Sequence, residues 1–203
     1  MKSIILGTVI MFLMLGVLVQ LSALAEKKKV TAMVSSPAPA FTLEDQNGKN
    51  VSLSGLNVKI VVLEWLNPDC PFVKRHYKAG TMTTLAEKYK DKDVVWIAIN
   101  STHYMNKEDD KKWIEGYKLF YSILDDSSGK VGKLYGAKTT PHMFIIDKSG
   151  TLVYQGAIDD DPKGVKNGNA LNYVDKALGE IIAGKPVSMS QTKPYGCSVK
   201  YAD

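Results

Sequence analysis

Val61-Val-Leu-Glu-Trp-Leu-Asn-Pro-Asp-Cys70-Pro-Phe-Val73 decides the fold. Lys59 to Trp65 is an apolar run rich in β-branched residues, the pattern of a strand covered on both faces. A short loop follows, then a cysteine and a proline. Proline suits the first turn of a helix, where its missing N–H would be unbonded anyway. Cys70 is therefore expected at a helix N-terminus. Partial positive charge and free N–H groups there stabilise a thiolate and lower the thiol pKa. Lys74, Arg75 and His76, a turn further on, either add to this field or stay solvated. The position that would complete Cys-x-x-Cys is Val73, so Cys70 cannot close a local disulfide. The other cysteine is Cys197, near the C-terminus.

On the N-terminal side, Phe41-Thr-Leu-Glu and Asn50-Val-Ser-Leu flank Asp45-Gln-Asn-Gly48, a hairpin signature. On the other side a helix is expected from Pro71 towards Lys90, with a break at Gly80. Val94–Ile99 reads as a second central strand. Asn106 caps a helix through Phe120 that places Trp113, Tyr117 and Phe120 on one core-facing side. A short strand, Ser122–Leu124, and a short helix, Ser128–Tyr135, follow. Met143–Ile146 and Thr151–Tyr154 are strands joined by the turn Asp147–Gly150. Asn169–Ala183 is an amphipathic helix with Leu171, Val174, Leu178 and Ile181/Ile182 along one side, stopped by Gly184. Strands joined by helices imply parallel pairs with right-handed crossovers, and the late hairpin adds antiparallel strands. The expected fold class is α/β: a mixed central sheet flanked by helices on both faces, with an N-terminal β-hairpin and an irregular C-terminal tail.

Lys2 precedes an apolar run from Ile4 to Leu21, and Ser22-Ala-Leu-Ala25 offers small residues where a signal peptidase cuts. Residues 1–25 are expected to be a signal peptide. The rival is a single membrane anchor, since the run is nearly long enough to span. An extended Ser/Ala/Pro-rich lead-in (26–37), a domain (38–184) and a tail (185–203) carrying Cys197 complete the expected organisation. The product is expected to be periplasmic or otherwise extracytoplasmic, touching the membrane only through an uncleaved signal segment. The formal net charge of +5 is mild and the charges are interspersed, with no basic stripe among aromatics, which argues against nucleic-acid binding. Oxidising compartments permit a Cys70–Cys197 bridge. It would be either a structural staple, worth roughly 4–5 kcal/mol in the chain-entropy model, or a redox-active pair.

Three segments together resemble the thioredoxin superfamily in its peroxiredoxin-like branch, the redoxin or alkyl hydroperoxide reductase/thiol-specific antioxidant group. They are Ala38-Pro-Ala-Phe-Thr-Leu-Glu-Asp-Gln-Asn-Gly48, Cys70-Pro71, and Thr140-Pro141 with Phe144-Ile-Ile-Asp-Lys-Ser-Gly150. The resemblance implies a thioredoxin-like fold over Ala38–Gly184. It implies that the Thr140–Pro141 bond is cis, lies against Cys70 and receives substrate through its own backbone. Trp65 and Phe72 either shape the apolar surround of Cys70 or are simply core. The family's peroxidase motif has Pro and Thr/Ser where this chain has Leu63 and Asn67. The activating hydroxyl is absent, and the Asn67 amide is left as the hydrogen-bonding group. The resemblance further implies that Cys70 is the nucleophile and that Cys197 can act as the resolving thiol.

Three functions stay open at this stage: a thiol–disulfide oxidoreductase, a thiol peroxidase with an antioxidant role, and a non-catalytic binding module on the same fold. No cofactor is implied. Expected partners are a protein or small-molecule thiol or disulfide, a peroxide, and a thiol reductant. Copper held by Cys70 and His142 is a weaker alternative, because one thiol and one or two histidines make a thin ligand set. Asp159-Asp-Asp161 reads as a solvated acidic loop.

Overall fold

A computed structural model describes residues 31–202. The expected signal peptide and the start of the lead-in lie outside the described residues, among which no helix is long and apolar enough to cross a membrane. The N-terminal hairpin forms as read: β1 (Thr42–Asp45) pairs antiparallel with β2 (Asn50–Ser52). The apolar run is β3 (Ile60–Leu66), buried at every position. After Cys70 come α1 (Pro71–Lys78) and α2 (Thr81–Tyr89), separated at Gly80, whose φ of 71° no helix can continue. Next are β4 (Val94–Asn100), α3 (Lys107–Tyr117), β5 (Ile123–Asp125) and α4 (Lys130–Tyr135). Then follow β6 (Thr139–Thr140), β7 (His142–Ile146), β8 (Leu152–Gly156), α5 (Tyr173–Ile182) and β9 (Cys197–Ser198).

The main sheet has seven strands in the order β2-β1-β5-β4-β3-β7-β8. β3 is parallel to β4 and antiparallel to β7, so the sheet is mixed as expected. Strand alternation sends Ile60, Val62 and Leu66 to one face, where they pack with Val73, Tyr77, Met82 and Leu178 of the helices. Val61, Leu63 and Trp65 go to the other, with Phe41, Val131, Tyr135 and Phe144.

The sequence reading and the structure differ most at the end of α3, the start of α5 and the tail. α3 has its Asn106 cap, which accepts from Glu108 and Asp109 N–H groups, but Lys118 turns left-handed (φ 52°) and stops it at Tyr117. Phe120 therefore lies beyond the helix and is exposed, while Trp113 and Tyr117 pack on the core. α5 begins at Tyr173, because the Asn172 side chain accepts from Asp175 N–H and fixes the start; Leu171 is left exposed. The tail is not irregular throughout: β9 pairs with β6, and Val199 and Tyr201 join the core. The described end of the lead-in is likewise seated, with Ala32 N–H donating to the Leu134 carbonyl and Leu152 N–H to that of Ser36.

Candidate active site

Cys70 is the N-cap of α1, with φ −70°, ψ 122° and Pro71 as the first helical residue. Asn67 builds the loop before it. Its Oδ1 accepts from Asp69 N–H at 2.8 Å, and its carbonyl accepts from Cys70 N–H at 3.0 Å. Asn67 is buried, and its side-chain oxygen is committed to this turn.

The Thr140–Pro141 bond is cis and meets the cysteine, for Cys70 Sγ donates to the Thr140 carbonyl at 3.0 Å. β9 runs antiparallel along β6, with Thr140 opposite Cys197 and Thr139 opposite Ser198. Both cysteines therefore converge on Thr140. Both are free thiols, Cys70 buried at 2 % exposure and Cys197 half-buried.

Their acidities diverge. Burial pushes the Cys70 thiol up, but hydrogen bonds to its thiolate outweigh this and hold it below the usual cysteine value. They come from the Cys197 and Thr140 side chains and from the backbone of Val73 and Cys197. Thr140 Oγ1 is buried and has no hydrogen-bond partner. Cys197 moves the other way. Burial, then its bond to Cys70 and the charge on that sulfur, push it up to about 11. Cys70 therefore ionises before Cys197.

The tail is fastened here by a polar cluster. Tyr195, two residues before Cys197, donates its phenol hydrogen to Asp159. The second bond on that oxygen, 3.0 Å from His76 Nε2, must take its hydrogen from the imidazole. Arg75 donates to the carbonyls of Asp161 at 2.9 Å and Pro162 at 3.1 Å, and its guanidinium lies 5.7 Å from the Tyr195 ring centre. Phe72 packs against the same ring, at 6.0 Å between centres. Burial holds the His76 pKa below the usual histidine value against the pull of Asp159. The acidic loop is thus not solvated: Asp159 and Asp161 are buried, and the Asp161 carboxylate accepts from Val165 and Lys166 N–H groups.

Glu64 escaped the sequence reading, although a carboxylate inside an otherwise apolar strand was the visible signal. It is fully buried on the Cys70 side of the sheet and accepts from Trp96 Nε1 at 2.9 Å, with Oε1 left without a partner. Burial raises its pKa to about 7, against hydrogen bonds from Trp96 and Tyr77.

Two expectations are corrected. Trp65 does not shape the surround of Cys70. It follows Glu64 in the strand, so its ring lies on the opposite face, fully buried, donating to Ser101 Oγ at 3.0 Å and packing on Tyr135 and Phe144. His142 likewise shares the side of Phe144, 4.4 Å between ring centres, away from the cysteine. Its Nδ1 accepts from Lys138 N–H, and burial lowers its pKa to about 3.

The arrangement can donate electrons from one thiolate to an oxidant and pass the oxidised sulfur on to a second thiol beside it. Known proteins agree in kind. The AhpC/TSA family profile matches residues 34–155. The chain is 34 % identical over 140 residues to a chloroplastic peroxiredoxin Q of Suaeda salsa, covering 63 % of either protein. It is 31 % identical over 134 residues to the thiol-disulfide oxidoreductase ResA of Bacillus thuringiensis, covering 64 % of this chain and 72 % of that one. An uncharacterized conserved protein from Geobacillus kaustophilus superimposes with a TM-score of 0.76 at 30 % identity, over 84 % of this chain and 93 % of its own. A thiol:disulfide interchange protein DsbE from Chlorobium tepidum gives 0.55 at 26 % identity, over 61 % and 84 %. The chain belongs to the AhpC/TSA family and is a thioredoxin-fold redox protein of peroxiredoxin-like or thiol–disulfide oxidoreductase kind.

Proposed function

We propose that this chain is an exported two-thiol redox protein in which Cys70 is the nucleophile and Cys197 resolves it within the same chain. The observation that carries the reading is the convergence on Thr140, which accepts from Cys70 Sγ and stands opposite Cys197 in the β6–β9 pair. With a disulfide, the Cys70 thiolate attacks one sulfur, forms a mixed disulfide and expels a thiolate. With a hydroperoxide, it takes the terminal oxygen, becoming a sulfenic acid as the alcohol leaves with a proton. In either case Cys197 then attacks the Cys70 sulfur, closing the Cys70–Cys197 bridge and releasing the second thiolate or water. An external thiol reductant restores both thiols.

The high pKa of Cys197 fits this order. Part of it comes from the neighbouring Cys70 charge, which vanishes once Cys70 has reacted, so the resolving thiol becomes more acidic when it is needed. Thr140 and Pro141 form the substrate-facing wall, and Asn67 positions the nucleophile. The export reading, to the periplasm or another extracytoplasmic space, is supported by the Ile4–Leu21 run and the small residues Ser22–Ala25. The peroxidase reading keeps its place because the relative of 34 % identity is a peroxiredoxin.

Non-reducing peptide mass analysis after one equivalent of oxidant tests the scheme. A peptide pair joined through Cys70 and Cys197 in monomeric protein is expected. A consumed Cys70 beside a free Cys197 would end the two-thiol mechanism.

A further inference from the structure

The residues next to Cys70 are not open. Beyond Cys197 the tail stays on the fold: Val199 N–H donates to the Lys138 carbonyl at 3.2 Å, and Tyr201 Oη to the Ala137 carbonyl at 2.9 Å. Before it, Thr192 N–H donates to the Gln155 carbonyl at 3.1 Å, and Thr192 Oγ1 accepts from Ala157 N–H at 2.9 Å. Between these anchors sits the Tyr195–Asp159–His76 cluster, with Asp159 and His76 buried. Two glycines record how closely the tail is seated. A Cβ on Gly196 (φ 139°) would stand 2.1 Å from the Thr140 carbonyl oxygen, and one on Gly156 (φ 151°) 2.2 Å from Thr192 Oγ1.

We infer that residues 192–199 form a built-in strap that restricts Cys70 to small oxidants, hydroperoxides or low-molecular-weight disulfides, and bars polypeptide disulfides. This rests on the reading of Cys70 as the nucleophile. An extended polypeptide aligns with a sheet edge through main-chain hydrogen bonds. At this site the Thr139–Thr140 edge is already paired with Ser198 and Cys197. A polypeptide must therefore detach β9 and break the Tyr195 cluster before its sulfur can meet Cys70. Its rate is scaled down by the small fraction of chains in which the strap is open. A small oxidant needs a far smaller opening, one that leaves β9 paired with β6. The same strap carries the resolving thiol, so oxidation of Cys70 is followed by closure from above.

The test compares two maleimides of one chemistry, N-ethylmaleimide and a polyethylene-glycol maleimide, on full-length protein carrying Cys197→Ser so that one thiol remains. Cys70 is expected to discriminate against the bulky reagent about tenfold more than free cysteine does. Gly196→Ala, or Tyr195→Phe where that variant does not fold by circular dichroism, is expected to raise the bulky rate about tenfold and the small rate far less. Discrimination equal to that of free cysteine, or unchanged in the loosened variant, overturns the strap while leaving the nucleophile intact. A Cys70 silent to both reagents in every variant overturns both.

Discussion

Two buried carboxyl groups on opposite faces of the sheet are treated very differently. Asp126 accepts from Ser101 Oγ at 2.6 Å, Gly132 N–H at 2.8 Å and Val131 N–H at 3.1 Å, so both oxygens are satisfied. Ser101 in turn accepts from Trp65 Nε1, tying β3 to the start of α4. Glu64 accepts from Trp96, with Tyr77 also favouring its charged form, and keeps one oxygen, Oε1, without a partner. The Asp126 face is a finished polar network that fixes position. The Glu64 face, which also holds Cys70 and the tail cluster, keeps a carboxyl that changes protonation near pH 7. Chemistry and instability gather on one side, rigidity on the other.

Substitutions on the two faces should therefore move different observables. Cys70→Ser is the largest: thiol turnover with any oxidant should fall about a thousandfold or more, with the circular dichroism spectrum unchanged. Residual turnover of wild-type size would place the nucleophile elsewhere. Cys197→Ser should cut steady-state turnover about a hundredfold while the first oxidation of Cys70 proceeds, leaving a sulfenic acid or mixed disulfide visible by mass spectrometry. Undiminished turnover would assign resolution to an outside thiol.

Glu64→Gln acts through pH. Folded Glu64 keeps its proton up to about pH 7, against a usual value of 4.5. The folded state binds more protons in that window, so stability from this group is full at acid pH and is lost as pH rises through 7. The Gln variant should gain on wild type by roughly 3 kcal/mol between pH 4 and 8, read by urea unfolding. Parallel pH profiles would show that Glu64 ionises freely. On the other face, Trp65→Phe should cost about 1–2 kcal/mol and leave the alkylation rate of Cys70 untouched. A changed rate there would erase the contrast between the faces.

Short-range chemistry was enough for the α/β order, the break at Gly80, and the placing of Cys70 before Pro71 at a helix start, because strand burial, capping and turn preferences act over a few residues. It also isolated the two cysteines as the groups to watch. Which side of β3 each residue serves was harder: Trp65 and Glu64 are neighbours in the chain, and only the packed sheet shows that Glu64 shares the Cys70 face while Trp65 stabilises the other. The tail was the furthest from reach. Residues 185–203 carry no periodicity. Their order comes from partners distant in the chain: Thr140 for Cys197, His76 and Asp159 for Tyr195, and Gly156 for Thr192. Local preference can announce a reactive sulfur, but whether a second sulfur stands over it depends on contacts that exist only once distant segments have been brought together.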